Sequence, residues 1–345
     1  MTATPPSPSS VAKSAARLTD SYSRIIHDLR VSITDRCNYK CIYCRTGEFG
    51  AQYPELGIDE YLRLIRIFVG LGIEKVRLTG GEPLLRRGLI DLLRELAQMR
   101  TLADEPLDLA LTTNGHLLEE LAAPLKDAGL RRVTVSMDAV DASIFERITR
   151  VPGSFEHVLR GIRAARGAGL TPLKVNCVLL RGFNDGEIEG FARFAREEDV
   201  VVRFIEFMPL EEDRLWSPQI VVPLAEIVER ITRFMPLVPL PPREPSETAR
   251  RYTFADGAGE IGIIASVTQA FCGACSRVRL TSDGKIRTCL FSQVEHDLYG
   301  RMRAGASDAE LSAYVALIVQ GKEARHHIGE PGFLKPSRSM VHIGG

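Results

Sequence analysis

Six of the seven cysteines fall into two groups of three, and their spacing points most directly to chemistry. The first group follows a C-x3-C-x2-C pattern and the second a C-x2-C-x13-C pattern. The members are Cys37, Cys41 and Cys44 in the first group, and Cys272, Cys275 and Cys289 in the second. The seventh, Cys177, lies inside the apolar string VNCVLL and is predicted to be a small buried hydrophobe.

Three thiols on a short loop suit either zinc or an iron–sulfur cluster. Structural zinc usually takes four protein ligands, and neither group has an obvious fourth. The only histidines within ten residues of either group are His27 and His296. A 4Fe–4S cluster held by three cysteines leaves one iron open to an outside ligand. The spacing therefore favours two clusters, and a non-enzymatic zinc protein used for interaction is the alternative.

The elements that must position these cysteines alternate in type from about residue 28 onward. β-Branched runs predict strands over 28–34, 75–79, 108–113, 131–137, 173–180 and 201–207. Apolar residues at helical spacing predict helices over 58–72, 88–99, 116–129, 155–169 and 187–199. Strand–helix repeats with short turns imply a parallel sheet. Since six units are too few for a closed eight-unit barrel, the predicted fold is an open, partial α/β barrel of the TIM type.

The strand–helix alternation weakens after about residue 210. Residues 236–247 are rich in proline and are predicted to be a linker or loop. The remaining residues, including a helix predicted over 308–322, are expected to form a small module that carries the second cysteine group and closes the open side of the barrel. The predicted division is a disordered tail at 1–20, the barrel at 21–235 and this C-terminal module at 236–345.

Composition and charge exclude several classes of function. Lys and Arg total 44 residues and so do Asp and Glu, which argues against a general nucleic-acid or membrane-surface binder. No apolar run reaches transmembrane length, and the N-terminus lacks the apolar segment of a secretory signal. The expected location is the cytoplasm, with no nucleic-acid or membrane partner. Thiols in that compartment stay reduced and more often bind metals or catalyse than form disulfides.

The first cysteine group also carries a family signature. The string CNYKCIYC, with an aromatic residue before its last cysteine, resembles the motif of radical S-adenosylmethionine (SAM) enzymes, as does the GGEP string at 80–83. From about residue 20 onward, KVRLTGGEPLLR, TTNG, SMD, RFIEFMP and FCGACSRVRL resemble the branch of that family that cyclises GTP in the first step of molybdenum cofactor synthesis. One departure is local: Arg45 and Thr46 follow Cys44, where many relatives have Met and Pro. Because these positions lie beyond the ligands, no change in chemistry is expected.

This resemblance implies two 4Fe–4S clusters, one on each cysteine group, with SAM on the open iron of the first. The residues it assigns to the SAM site are Tyr43, Gly80, Gly81, Glu82, Ser136 and Met208. In such enzymes a 5′-deoxyadenosyl radical removes the ribose 3′ hydrogen of GTP. The resulting carbon radical attacks guanine C8 and gives 3′,8-cyclo-7,8-dihydro-GTP, while the open iron of the second cluster binds the guanine ring.

The resemblance also assigns residues to the substrate. The GTP contacts it implies are Arg30, Arg77, Thr112, Lys174, Arg203, Arg277 and Arg279, and the catalytic residues are Arg30, Arg277, Arg279, Gly344 and Gly345. Guanidinium groups suit phosphates well, and the strand pattern is consistent with this use. Arg30 falls on the polar face of its strand. Arg277 and Arg279 alternate in SRVRL, which points both to one face.

The last two residues and the partners complete the expectations. Gly344 and Gly345 have no side chains and can enter a narrow site where a Cβ would clash. The expected partners are GTP, the next pathway enzyme that forms cyclic pyranopterin monophosphate, an electron donor such as flavodoxin or ferredoxin, and a second copy of the chain in a homodimer. A peptide-modifying radical SAM enzyme with an auxiliary cluster is the alternative within the class. Such enzymes commonly carry more auxiliary cysteines and a peptide-binding element.

Overall fold

A computed structural model describes residues 17–44, 50–211 and 215–344. The strands are β1 Asp28–Ser32, β2 Lys75–Thr79, β3 Asp108–Thr113, β4 Arg132–Ser136, β5 Lys174–Leu179, β6 Val201–Glu206, β7 Leu237–Leu240, β8 Arg250–Phe254, β9 Glu260–Ile264, β10 Arg277–Leu280, β11 Lys285–Arg287 and β12 His296–Asp297. The helices are α1 Ile58–Gly70, α2 Leu89–Ala97, α3 Leu118–Asp127, α4 Ala142–Thr149, α5 Ser154–Gly167, α6 Ile188–Glu197, α7 Leu224–Phe234, α8 Leu298–Arg303, α9 Asp308–Gln320 and α10 Met340–Ile343.

All of these strands belong to one sheet, in the order β12-β11-β10-β1-β2-β3-β4-β5-β6-β9-β8-β7. Strands β1 to β6 are parallel and neighbour one another in chain order. This is the predicted open, partial barrel, and the sheet does not close on itself among the described residues. Parallel order places the carboxyl ends of all six strands at one rim, where sites of such barrels lie.

The predicted C-terminal module is part of the same sheet and extends both of its edges. Strand β9 pairs in parallel with β6 at one edge, and β10 pairs in parallel with β1 at the other. The outer strands β7 and β8 on one side, and β11 and β12 on the other, continue as antiparallel pairs. Fewer than thirty residues of chain therefore join the two opposite edges of the barrel.

The helices form because their apolar residues recur on one face. In α1 the buried residues include Tyr61, Leu64, Ile65 and Phe68, which is the spacing of a single helical stripe against the sheet. The carboxylate of Glu60 accepts a hydrogen bond from the backbone N–H of Gly57 at 2.7 Å and fixes where this helix begins. Cys177 in β5 is fully buried, which confirms its prediction as a core residue.

Two predictions from the sequence are corrected, and some helices were missed. Residues 237–240, predicted as part of a linker or loop, form β7; its proline lies on an edge strand, where a missing N–H is tolerated. Helices α4 and α7 were not predicted, since each is short or follows an irregular segment. The boundary of the N-terminal tail at residue 20 is too far along the chain, because Leu18 and Asp20 are already buried. Residues 1–16 lie outside the described part.

None of the helices in the described part of the chain is long and apolar enough to span a bilayer.

Candidate active site

A cavity of about 620 Å³ lies at the rim formed by the carboxyl ends of the parallel strands. All six cysteines of the two groups line it. Gly80 and Gly81 of the GGEP loop and inward-facing residues of the six parallel strands β1 to β6 also line it. The first group enters from the loop after β1, and the second enters from the residues around β10. The fold therefore brings both cysteine groups, which are more than two hundred residues apart in sequence, to one chamber.

The GGEP loop packs backbone to backbone against the start of the first cysteine loop. The N–H of Gly81 donates to the carbonyl of Thr34, and the N–H of Glu82 donates to that of Arg36, both at 2.7 Å. A Cβ on Gly81 would lie 2.2 Å from the Arg36 carbonyl oxygen. The glycines are therefore needed for this close approach, which fixes the GGEP loop relative to the cysteines.

Glu82 is the one predicted SAM-site residue that does not line the cavity. Its side chain is fully buried and accepts hydrogen bonds from Thr113 Oγ1 at 2.7 Å and from the N–H groups of Asn114 and Leu84 at 2.7 and 2.9 Å. Burial raises its pKa to about 7 despite these donors. Glu82 thus joins the loops after β2 and β3, while Tyr43, Gly80, Gly81, Ser136 and Met208 lie on the wall.

The first cysteine loop is held by contacts on both sides. The hydroxyl of Tyr43 donates to Asp138 Oδ2 at 2.6 Å, and the backbone N–H of Val178 donates to Oδ1 at 2.8 Å. Burial raises the pKa of Asp138 to about 6 against the effect of these two donors. The N–H of Tyr39 donates to Cys37 Sγ at 3.4 Å. Asp138, which follows β4, thereby fixes Tyr43, the aromatic residue of the signature.

The second cysteine group is surrounded by donors to sulfur. Arg277 donates to Cys275 Sγ from Nη2 at 3.2 Å and from Nε at 3.4 Å, and the N–H of Phe291 donates to Cys289 Sγ at 3.5 Å. Burial alone would raise the pKa of Cys275, but Arg277 and then Lys322 bring it down to about 6. Arg277 and Lys322 thus stabilise the thiolate of Cys275, whereas burial raises the pKa of Cys289.

Positive residues form a row across adjacent strands. Arg30 on β1 lies in register with Arg279 on β10 and with Arg77 on β2, so three guanidinium groups share one level and one face of the sheet. Arg77 Nη1 donates to Thr112 Oγ1 at 3.2 Å, and Arg203 Nε donates to Asn176 Oδ1 at 2.9 Å. Arg30 Nε is buried and has no hydrogen-bond partner among the described residues.

The charges on the cavity wall do not balance. The described lining includes eleven Arg and Lys residues against five Asp and Glu residues. Lys75, Arg132 and Arg251 pair with carboxylates. In contrast, none of the six predicted cationic contacts forms an ion pair with a carboxylate in the described residues: Arg30, Arg77, Lys174, Arg203, Arg277 and Arg279. Arg77 and Arg279 are buried and the other four are half-buried, so their charges are costly without a partner, and a polyanionic ligand would compensate them.

The pKa values of these groups reflect the crowding. Burial, and then Arg203 and Arg77, lower the pKa of Lys174 to about 7. Burial and the neighbouring arginines likewise lower the pKa of Arg203 to about 9 and that of Arg30 to about 10. The crowded cations of the wall therefore disfavour further positive charge, and an anion beside them would raise all three pKa values.

The C-terminal tail packs against the carboxyl ends of β1 and β2, which remain paired with each other. Gly344 has φ +68°, and a Cβ there would lie 2.6 Å from Thr79 Cγ2 and 3.3 Å from Ser32 Cβ. Its carbonyl oxygen accepts a hydrogen bond from Arg279 Nη1. Met340 and Val341 of α10 line the cavity. The tail is thus seated beside a member of the cationic row, while Gly345 lies outside the described residues.

Sequence reasoning missed several wall residues. Part of the predicted linker, including Arg243, Glu244 and Glu247, lines the cavity. Lys322 also lines it and is only 4% exposed, with its Nζ donating to the carbonyl of Arg277 at 3.0 Å. A lysine directly after the terminal glycine of an apolar helix, in IVQGK, was the available signal.

Both cysteine groups fit an iron–sulfur cluster on the chemistry of their donors. Each offers half-buried thiols facing one chamber, and each includes a sulfur that accepts a backbone N–H, as cluster cysteines do. Among the described residues, no three His, Cys, Asp or Glu side chains are gathered as ligands for a single metal ion.

Comparison with known proteins agrees with this geometry. The profile of the Radical SAM superfamily matches residues 31–195, and that described as Molybdenum Cofactor Synthesis C matches residues 200–328. Among solved structures, Streptococcus suis SuiB bound to S-adenosylmethionine is similar with a TM-score of 0.57 and 14% identity, covering 84% of this chain and 67% of that one. At this identity the likeness shows the fold alone. The fold and cysteine motif therefore define a radical SAM protein.

Whole-length relatives narrow the class. The chain is 44% identical to the GTP 3′,8-cyclase of Moorella thermoacetica over 329 residues, covering 94% of this chain and 99% of that protein. It is 44% identical to the GTP 3′,8-cyclase of Streptomyces coelicolor, covering 95% and 96%. That of Acidothermus cellulolyticus is 46% identical over 85% of this chain and 82% of its own length. The chain belongs to the GTP 3′,8-cyclase family.

Proposed function

We propose that this radical SAM enzyme binds SAM and GTP side by side in the cavity and cyclises GTP, with one 4Fe–4S cluster on each cysteine group. The observation that carries the proposal is the set of six buried or half-buried cations that have no carboxylate partner among the described residues and line the same cavity as both cysteine groups. A triphosphate supplies several negative charges on one flexible chain and matches a row of guanidinium groups. A peptide substrate would not need this arrangement.

The SAM end of the cavity lies at the first cysteine group. Cys37, Cys41 and Cys44 would hold the cluster that SAM meets. The backbone of Gly80 and Gly81, together with Ser136 and Met208, would contact SAM, since they line the wall beside those cysteines. Tyr43 would position this loop through its bond to Asp138. Glu82 contributes by holding the loops after β2 and β3 rather than by touching SAM.

The GTP end lies at the second group. Cys272, Cys275 and Cys289 would hold the second cluster, against which the base packs. Arg30, Arg77, Lys174 and Arg203 would bind the triphosphate together with Arg279, and Thr112 would contact the nucleotide beside Arg77. Arg277 would act on both the second cluster and GTP, because it donates to Cys275 Sγ and lines the same cavity.

When bound, the first cluster and SAM supply the 5′-deoxyadenosyl radical that removes the ribose 3′ hydrogen and so lets that carbon bond to C8 of guanine. The protein orients the two molecules and excludes water. Arg279 would hold the tail and the substrate together, since its guanidinium binds the Gly344 carbonyl. Gly344 would fill space that water would otherwise occupy, and Gly345, which lies outside the described residues, keeps the catalytic role proposed from the sequence.

The remaining partners and the location are carried over from the sequence expectations. We propose a one-electron donor such as flavodoxin or ferredoxin, a cytoplasmic location, delivery of product to the enzyme that forms cyclic pyranopterin monophosphate, and a homodimer. The division into a barrel at 21–235 and a module at 236–345 likewise remains a proposal.

Separate removal of the two cysteine groups tests the assignment. Replacing Cys37, Cys41 and Cys44 with Ala should abolish SAM cleavage. Replacing Cys272, Cys275 and Cys289 should leave 5′-deoxyadenosine formation but abolish cyclised GTP. Both variants should retain about four iron atoms per chain, against about eight in the wild type. Cys177→Ala is the matched control, because it removes a thiol that faces the core.

The assays are iron and sulfide content after anaerobic reconstitution, and chromatography of both products. About four irons in the wild type, bound zinc in place of iron, or normal GTP cyclisation without the second cysteine group would contradict the proposal.

A further inference from the structure

The three cysteines of the second group lie on two separate pieces of chain, with Cys272 and Cys275 on one short turn and Cys289 on the other piece. Cys272 and Cys275 precede β10, and Cys289 follows β11. A cluster requires its thiolates at fixed separations, so something outside these loops must hold the pieces together. Lys322 and Glu323, which follow α9 and its terminal Gly321, contact residues on both pieces, and Ala324 comes next in the chain. We call Lys322, Glu323 and Ala324, together with Arg24, the anchor.

Arg24 joins the anchor to the first piece. Its Nη1 donates to the carbonyls of Cys272 and Ala324, both at 2.8 Å, and its Nη2 donates to that of Glu323 at 2.6 Å. Asp20 orients the guanidinium through an ion pair at 2.5 Å from Nε, and the pair is almost completely buried. One side chain from the N-terminal segment therefore bridges the Cys272 carbonyl and the chain after α9.

Lys322 joins the first piece to the second. Its Nζ donates to the carbonyl of Arg277 at 3.0 Å and to that of Thr288. Arg277 in turn contacts Cys275 Sγ, and Thr288 directly precedes Cys289. The ammonium group therefore ties the strand after Cys275 to the residue before Cys289.

Glu323 joins the anchor to the second piece. Its carboxylate accepts hydrogen bonds from Thr288 Oγ1 at 2.7 Å and from Ser292 Oγ. Ser292 Oγ accepts the backbone N–H of Cys289 at 2.9 Å. The turn that carries Cys289 is thus fixed from both of its ends by one carboxylate.

We infer that the anchor sets the spacing of the three thiolates, so that Arg24, Lys322 and Glu323 are positioning residues for the second cluster. The inference rests on the proposed function, since it assumes that this group holds a cluster. None of the three side chains needs to touch GTP for this role. Their loss should therefore act on the second cluster and leave the first unchanged.

The variants Arg24→Ala and Glu323→Ala test the inference, with Arg24→Lys as the conservative form. Arg63→Ala is the matched control. It also removes an arginine that joins the barrel to the chain around α9, through Asp308 at 2.8 Å and the Ala306 carbonyl at 2.9 Å, but it lies at the far end of that helix. The measurements are iron content, the electron paramagnetic resonance spectra of the reduced clusters and 5′-deoxyadenosine formation.

Arg24→Ala and Glu323→Ala should fall from about eight to about four iron atoms per chain and lose the second spectral component. Their SAM cleavage should stay within about twofold of wild type. Arg24→Lys should recover part of the second signal, because an ammonium group can still reach a carbonyl. Arg63→Ala should keep both clusters. If either alanine variant is insoluble, Arg24→Lys decides, through an altered second spectrum with an unchanged first.

Full iron content and two unchanged spectra in all of these variants would overturn the inference. A wild-type protein with only about four irons would instead refute the proposed function, so the two failures are distinguishable.

Discussion

Replacing Gly344 with Ala tests whether the C-terminal tail must be seated for catalysis. The residue has φ +68°, which costs a side chain about 1–3 kcal/mol. The new Cβ would lie 2.6 Å from Thr79 Cγ2, far inside the usual carbon–carbon contact of about 3.5–4.0 Å. Overpacking of this kind costs about 1–3 kcal/mol more. The total is about 2–6 kcal/mol.

The seat is held by the bond from Arg279 to the Gly344 carbonyl, and a charge-assisted bond is worth about 1.5–3 kcal/mol. The strain therefore matches or exceeds the bond, and the tail should leave its seat in most molecules. The yield of cyclised GTP per 5′-deoxyadenosine should fall at least about tenfold. Iron content and SAM cleavage should be unchanged, because Gly344 contacts neither cysteine group in the described structure.

Two further variants distinguish the backbone strain at position 344 from the steric clash of the new Cβ with Thr79. Gly332 has φ +85° and open space around the position of a Cβ, so Gly332→Ala carries the backbone strain alone and should be close to wild type. Thr79→Ser removes the Cγ2 atom that the new side chain meets and should partly restore Gly344→Ala. If Gly344→Ala couples its two products as well as Gly332→Ala does, or if Thr79→Ser brings no recovery, the steric reasoning is refuted.

Two other predictions concern the positively charged residues of the cavity wall. Arg277→Ala and Arg279→Ala should each weaken GTP binding by about ten- to a hundredfold while SAM binding is spared, because each loses a charge-assisted contact; unchanged affinity by calorimetric titration would remove them from the pocket. Because the pKa of Lys174 is lowered to about 7, its positive charge is present below that pH and lost above it. GTP affinity should therefore fall as pH rises through about 7, with proton uptake on binding, and Lys174→Met should lack this component; identical pH profiles for the two proteins would contradict it.

The six parallel strands were predictable from the sequence because each is a local pattern with a helix after it. The placement of β9 and β10 was not. Both are short strands in an irregular segment, and their partners, β6 and β1, are chosen by non-local pairing. The prolines at 236–247 also suggested a linker, although an edge strand tolerates Pro239.

In the candidate active site, the sequence alone was enough to group the cysteines by their spacing and to place Arg30 on the polar face of its strand. The level at which Arg30, Arg77 and Arg279 meet depends on the register between three strands, which no single strand encodes. Glu82 shows a further limit. The motif predicts Glu82 as a SAM contact, whereas its carboxylate accepts hydrogen bonds from Thr113 and from two backbone N–H groups.

The division of the last strands between the two edges of the sheet affects how the chain is made. Synthesis of β1 to β6 ends at Glu206, but β6 gains its outer neighbour only at Glu260–Ile264 and β1 only at Arg277–Leu280. Until then a nascent chain presents two bare parallel edges, each able to pair with another chain. A chain released from a stalled ribosome in this interval would be an incomplete barrel prone to aggregation. The enzyme therefore covers both edges of its parallel strands and gains its second cysteine group at the same stage of translation.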